Sequence, residues 1–327
     1  MKGRIKRLRV KNLLSLRDIT IDFGEKLTVL VGPNAGGKSN IIKALRLIHG
    51  EYSYTSQKEI AYGGGKSDIH IKLSIEIGDE EFKPAHYQYT LSFKGGIFEG
   101  FDPPELRDDI VEFIGDFHFY SFNPDAMRGN FPMVTKLKLS RDGSNLAGLL
   151  AYIKLTDYQL FHTIEESLEN YIPEVEEIVL KPIEMRGERE KFYKLMIRER
   201  GFKEAFTEIA DGTLRILGFI TALSLKSSFI AFEEPENCIH PHLLELLVDM
   251  MRKADCQVVI TTHSPYLLDY VEPEEVVVVW REMGKEGLET KVRRPSEEEL
   301  ERVRKLLREG WTLGEVWYSG ELGGVPE

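Results

Sequence analysis

The chain has 327 residues, 42% of them apolar and 30% charged, with a formal net charge of −11. That length suits one large or two medium domains, and the acidic balance excludes nucleic-acid binding through the overall field, so any such contact needs a local basic patch. No run of about 18 apolar residues predicts a membrane-spanning helix, and the basic N-terminus lacks the apolar core of a signal peptide. Two isolated cysteines, Cys238 and Cys256, predict neither structural zinc nor a disulfide framework; a reducing cytoplasm is the expected compartment. Many charges and few glutamines fit a heat-adapted protein.

In chain order, residues 4–10 and 17–23 alternate as strands. Lys2, Arg4, Lys6, Arg7, Arg9, Lys11 and Arg17 all precede the first acid, Asp18. In an extended strand Arg7, Arg9 and Lys11 share one face and Leu8 and Val10 the other. A solvated outer face is favoured here over a nucleic-acid patch.

An apolar strand at 27–31 then runs into GPNAGGKSN, residues 32–40, and a helix-like run at 41–48. This is GxxxxGKS between strand and helix, which predicts a nucleoside triphosphate bound with magnesium. Gly36 and Gly37 let successive N–H groups curl into an anion nest. The following helix turns its positive end to the phosphates. Lys38 supplies charge for the β and γ phosphates, and the Ser39 hydroxyl is a hard oxygen ligand for magnesium.

Residues 69–77 and 87–93 alternate cleanly, punctuated by Gly78-Asp79 and Gly95-Gly96, and predict an antiparallel meander. A glycine loop is expected at 63–65 and a short strand at 117–122. The middle turns helical: Leu146, Leu149, Leu150 and Ile153 fall at helical spacing. Residues 156–159 (TDYQ) match a capping box for a second helix ending near Pro173. Strands are expected near 176–182 and 191–198.

After residue 205 the pattern becomes a helix at 212–226, a strand at 229–232, a helix at 241–253, and strands at 258–261 and 276–279. Apolar runs without alternation suit a parallel sheet buried on both faces. Such sheets place their chemistry at strand ends. Glu233 stands at one end as a magnesium partner. Glu234, one residue on, is placed to polarise an attacking water. His263, after the next strand, can contact a γ-phosphate. Hydrolysis needs positioning and charge stabilisation more than covalent help.

Together these motifs resemble the ABC-type ATPase heads of the RecF, SMC and OLD group, over most of the chain. The nearest likeness is to compact AAA-type, OLD-like ATPases without a TOPRIM domain. KRLRVKNLL (6–14) looks like the opening strand and turn, and GPNAGGKSN like Walker A, including Asn40. IAFEEPENCIHP (230–241) looks like Walker B, the catalytic glutamate and the D-loop, and TTHSPYLLD (261–269) like the switch-histidine segment.

The resemblance implies an α/β fold, a P-loop NTPase with a mostly parallel core sheet, an antiparallel β meander and an inserted helical lobe. Residues 1–65 and 205–327 would form the nucleotide-binding lobe, and 66–204 the meander and helical lobe. It implies ATP and Mg2+ as ligands and hydrolysis as the activity. Nucleotide contacts would fall on Gly32, Asn34, Ala35, Gly36, Gly37, Lys38, Ser39 and Asn40. Ser39 and Glu233 would hold the metal, and Glu234 and His263 would be catalytic.

It also implies an ATP-dependent homodimer. There the signature segment Ala210, Asp211, Gly212 and Thr213 of one head caps the γ-phosphate of the other. Ala210 departs from the usual serine, which removes a hydroxyl donor worth about 1.5–3 kcal/mol to a charged group. Taken alone, the segment is an ordinary helix start with Asp211 as cap. The family's glutamine loop has only weak stand-ins, Asn123 after the 117–122 strand and Gln88 within a strand.

The 193 residues at 40–232 are too few for a long coiled coil at ~1.5 Å per residue, and no heptads are sustained. The stretch after His263 has no acid pair of TOPRIM type. The expectation is a stand-alone ATP-driven switch in DNA repair or in defence against mobile elements. DNA or a separate nuclease or toxin is the candidate partner. The alternatives are an ATP-bound regulatory scaffold for such a nuclease or toxin, and a transporter nucleotide-binding subunit. The aromatic segment 311–318 is expected to dock on its own head.

Overall fold

A computed structural model describes residues 2–50, 68–78, 85–94, 97–101, 107–184, 191–285 and 287–323, the strands at 85–94 and 97–101 by backbone alone. The expected glycine loop at 63–65 lies outside these residues, and the expected turns at 78–79 and 95–96 lie wholly or partly outside them. The chain packs as two compact units. One comprises Met1–Phe119, Ser227–Glu234 and Arg252–Glu327; the other comprises Tyr120–Lys226 and Pro235–Met251.

The first unit opens with a hairpin of β1 (Lys2–Leu13) and β2 (Leu16–Asp22). A register shift between Ile5 and Arg7 turns both Lys6 and Arg7 outward, so Ile5, Leu8 and Val10 can all be buried. The basic stripe faces solvent but is matched by acids. Arg7 pairs with Asp22, Arg9 and Lys11 pair with Asp18, and Arg4 and Lys6 pair with Glu76. The hydrogen bond from Arg9 holds the Asp18 carboxyl below the usual carboxylate range. Exposed pairs of this kind add little stability. Their consequence is that the stripe is not a free basic patch.

β3 (Leu27–Val31) is buried throughout and feeds the Lys38–His49 helix. β4 (Ile69–Gly78) pairs with the free side of β1, followed by β5 (Ala85–Lys94) and β6 (Ile97–Phe101), in the order β2-β1-β4-β5-β6. Because β4 runs along β1, the meander belongs to the first unit, whereas the sequence expectation grouped it with the helical lobe. The helix face carrying Ile41, Ile42, Leu45 and Ile48 shares one core with Ile5, Leu8 and Leu73. The Arg107–Gly115 helix and β7 (Phe117–Tyr120) follow.

The second unit holds β8 (Phe131–Pro132), β9 (Val175–Glu184) and β10 (Lys191–Glu199) in the order β8-β10-β9. With them are the helices Leu146–Thr156, Tyr158–Tyr171 and Asp211–Ser224. The expected capping box moves by one residue. Thr156 ends the earlier helix, its hydroxyl bonded to Tyr152 O, and Asp157 caps the next by accepting from Leu160 N at 3.0 Å. A short turn between two helices leaves Thr156 inside the first, so the carboxylate takes over the cap.

The first unit resumes with β11 (Phe229–Glu233), β12 (Gln257–Thr262), β13 (Val276–Met283) and β14 (Leu288–Arg293). The core sheet reads β14-β13-β3-β12-β11-β7. β13, β3, β12 and β11 are parallel, and β14 returns antiparallel to β13. The helices Glu297–Arg308 and Leu313–Tyr318 both open with capping boxes, Ser296 with Glu299 and Thr312 with Glu315. The latter buries Leu313, Val316 and Trp317, and Gly314 N donates to Asp269 Oδ1 at 2.9 Å. The aromatic segment therefore docks on its own head, beside the Pro265–Leu268 helix, with Trp311 and Tyr318 still exposed. No helix among the described residues is long and apolar enough to cross a membrane.

Candidate nucleotide site

Parallel pairing brings the predicted residues to one edge. In register, Val31 lies opposite Thr262, and Thr261 lies opposite Glu233. The next residues in each strand direction are Gly32, His263 and Glu234. With strands about 4.8 Å apart, the phosphate loop and the two glutamates sit about 10 Å apart, with His263 between them. This is the carboxyl edge where open α/β sheets bind ligands.

The loop is shaped by close packing. A Cβ on Gly32 would stand 1.8 Å from Val279 O of β13, so only glycine lets the loop leave β3 there. Gly36 N donates to Pro33 O at 3.0 Å, closing a turn through Asn34 and Ala35, and Ala35 has φ 60. Gly37 is the N-cap of the Lys38–His49 helix at φ 110; no side chain caps it, and the first helical turn holds no acid. That leaves the positive helix end suited to an anion. Lys38 is 6% exposed, and its Nζ donates to Gly32 O at 2.6 Å and Pro33 O at 2.9 Å. The ammonium is folded onto the loop's own carbonyls, from which a phosphate can draw it. Ser39 is exposed.

Asn40, expected among the nucleotide contacts, has a different side-chain partner. Its Nδ2 donates to Ser15 Oγ at 2.8 Å, and its backbone N donates to Gly37 O at 3.0 Å. Its place in the first helical turn over the β1–β2 turn explains this, because the Ser15 hydroxyl is in reach there.

Glu234 takes the left-handed conformation, φ 47, which is uncommon for a side chain of its size. Its N–H donates to Thr261 O at 2.9 Å, which pins the bend just after β11. Glu233 and Glu234 therefore diverge, one on the strand and one off it. His263 Nδ1 lies 3.3 Å from Glu234 Oε1, with both side chains more than a third exposed. Thr262 Oγ1 accepts from Ser264 N at 2.9 Å and sets the turn that carries His263.

The residues present fit magnesium. Among the described residues no group of three or more His, Cys, Asp or Glu could hold a metal unaided. Magnesium at phosphates takes only one or two protein oxygens, the rest coming from substrate and water. Ser39 and Glu233 would supply such oxygens.

The signature segment lies in the second unit. Ala210 is the N-cap of the Asp211–Ser224 helix, with no side-chain cap bond, so Asp211 sits in the first turn and is not the cap. Arg128 bonds both Asp211 and, at 2.7 Å, Ile209 O. Asn123 caps the Pro124–Met127 helix, accepting from Asp125 N at 2.9 Å. Sequence reasoning missed Arg128, and also Ser15 and Thr290 beneath the phosphate loop. The long separations, from 128 to 211 and from 15 to 290, leave no local signal for these contacts.

A β3–loop–helix unit at the centre of a mostly parallel sheet, flanked by Glu233–Glu234 and His263, defines an ABC-type ATPase head of the RecF, SMC and OLD group. A family model described as "AAA domain, putative AbiEii toxin, Type IV TA system" matches residues 27–269, and the chain belongs to that family. An OLD nuclease of Thermus scotoductus is 22% identical, over 94% of this chain and 67% of its own length. The DNA replication and repair protein RecF of Shouchella clausii is 30% identical over 32% of this chain and 27% of its own. Among solved structures, an Smc head bound to the C-terminal winged-helix domain of ScpA superposes with a TM-score of 0.64 at 14% identity, covering 90% of this chain and 98% of that one. At that identity the likeness speaks for the fold.

Proposed function

We propose that this chain is a cytoplasmic Mg-dependent ATPase that hydrolyses ATP slowly and uses ATP-dependent pairing of two copies as a switch. The observation that carries this reading is the shared strand edge: the Lys38 loop, His263 and Glu233–Glu234 leave three adjacent parallel strands at one level. Magnesium, when bound, supplies charge neutralisation at the β and γ phosphates. The loop N–H groups and Lys38 bind and orient the triphosphate. Ser39 and Glu233 would hold the metal through their oxygens. Glu234 accepts a hydrogen bond from the attacking water and orients it, and His263 steadies Glu234 and meets the γ-phosphate. Gly32, Asn34, Ala35, Gly36 and Gly37 form the cradle, with Asn40 behind it. Ala210, Asp211, Gly212 and Thr213 are assigned to the partner copy's nucleotide.

The matched RecF, named for DNA replication and repair, supports a setting in DNA repair; defence against mobile elements is what the resemblance to the OLD group implies. The family description names a putative AbiEii toxin and a Type IV TA system, a setting with which a second reading, an ATP-bound regulator of a separate nuclease or toxin, is also compatible.

Glu234→Gln separates the two. As an ATPase, the variant keeps ATP bound while phosphate release falls at least about a hundredfold, and it becomes a dimer by light scattering when ATP is added. A wild-type protein that binds ATP tightly yet releases no phosphate above background speaks for the regulator. Unchanged turnover in Glu234→Gln removes Glu234 from the mechanism.

A further inference from the structure

Beneath the phosphate loop lies a chain of side-chain hydrogen bonds that runs through two residues outside every motif, Ser15 and Thr290. Thr290, on β14 and 1% exposed, places Oγ1 3.2 Å from Gly36 O and 2.6 Å from Ser15 Oγ. Ser15, in the turn between β1 and β2, lies 2.8 Å from Asn40 Nδ2. The backbone closes the same corner, Thr290 N donating to Ser15 O at 2.8 Å.

The direction of this chain is fixed by its ends. A carbonyl only accepts, so Thr290 spends its one proton on Gly36 O. Thr290 therefore accepts from Ser15, whose proton is then spent, and Ser15 accepts from the Asn40 amide, which only donates. The order is Asn40 to Ser15 to Thr290 to Gly36. It runs from the first turn of the Lys38–His49 helix, through two remote segments, back to the peptide just ahead of that helix.

The end point matters because a trans peptide directs its C=O and N–H oppositely. With Gly36 O held against Thr290, the Gly37 N–H points away from β14. The approach is close enough that a Cβ on Gly37 would sit 2.0 Å from Thr290 Oγ1. The glycine is thus required by the buttress as well as by its φ of 110.

We propose that Ser15 and Thr290 are positioning residues for triphosphate binding. Their hydroxyls hold the Gly36–Gly37 peptide in the orientation that presents the Gly37 N–H to phosphate, so the nest is organised before the ligand arrives. The inference rests on the ATP-binding reading above. It assigns a binding role to β14, which lies outside every motif, and gives Asn40 a supporting task in place of a direct contact.

The test is calorimetric titration with a nonhydrolysable ATP analogue and magnesium. Thr290→Val keeps the shape and removes the donor; its dissociation constant rises about tenfold, the scale of one buried hydrogen bond. Thr290→Ser restores the donor and returns the constant to within about threefold of wild type. If Thr290→Val does not fold, Ser15→Ala breaks the chain one link earlier and is judged by the same rise. Wild-type affinity in the folded hydroxyl-deleted variant, or a Thr290→Ser variant as weak as Thr290→Val, overturns the proposal. Lys38→Ala in the same titration keeps the two claims apart. If it still binds, the ATP reading fails; if it alone loses binding, only the buttress fails.

Discussion

Two helix starts in this molecule share one feature and differ in another. Neither the Lys38–His49 helix nor the Asp211–Ser224 helix has a side-chain cap, so both leave helical N–H groups unsatisfied by a side chain. The first has no acid in its opening turn and holds Lys38 folded onto the loop carbonyls. The second carries Asp211 in that turn, itself bonded by Arg128. A phosphate arriving at the first start meets no acid from the helix's own opening turn. At the second it competes with a resident carboxylate that Arg128 partly offsets. On the proposed reading, nucleotide affinity belongs to the first start, and the second would make weaker, conditional contact. The alanine at 210, where the resemblance implies a serine as the usual residue, points the same way.

The largest effect on this contrast should come from Lys38→Ala. Removing the one buried ammonium at the first start weakens ATP binding at least about a hundredfold in calorimetry, through loss of charge-assisted bonds to phosphate. Undiminished affinity would erase the difference between the two starts. A smaller effect sharpens it. The backbone at Ala210, φ −58 and ψ 143, already has the extended form an N-cap residue takes. Ala210→Ser should raise stability by about 0.5–1 kcal/mol, read as a higher urea midpoint. A midpoint that stays or falls would mean those N–H groups already have partners, and the second start would not be open.

Much of this was legible because it is local. Strand 27–31, the glycines and Lys38 lie within a dozen residues and state their own geometry. The acids and histidine are announced by apolar runs that stop abruptly. The basic stripe of β1 read as a solvated face from its alternation, but the acids that neutralise it, Asp18, Asp22 and Glu76, meet it only once β2 and β4 are paired. β14 went unseen because LETKVR, although it alternates, is short and has only Leu288 and Val292 as apolar residues. With it went Thr290, and hence the reason Asn40 faces Ser15. The meander's grouping was likewise set by pairing with β1, a contact with no local signal. The left-handed Glu234 has no sequence mark at all; its turn depends on Thr261 in a neighbouring strand.

The central claim is that the phosphate loop grips a triphosphate beside Glu233 and Glu234. The most direct measurement is a crystal structure with magnesium and a nonhydrolysable ATP analogue. The account predicts that Lys38 Nζ leaves Gly32 O and Pro33 O for the β and γ phosphates, with Glu234 facing the terminal phosphate. An analogue bound elsewhere, with Lys38 still on those two carbonyls, would contradict it.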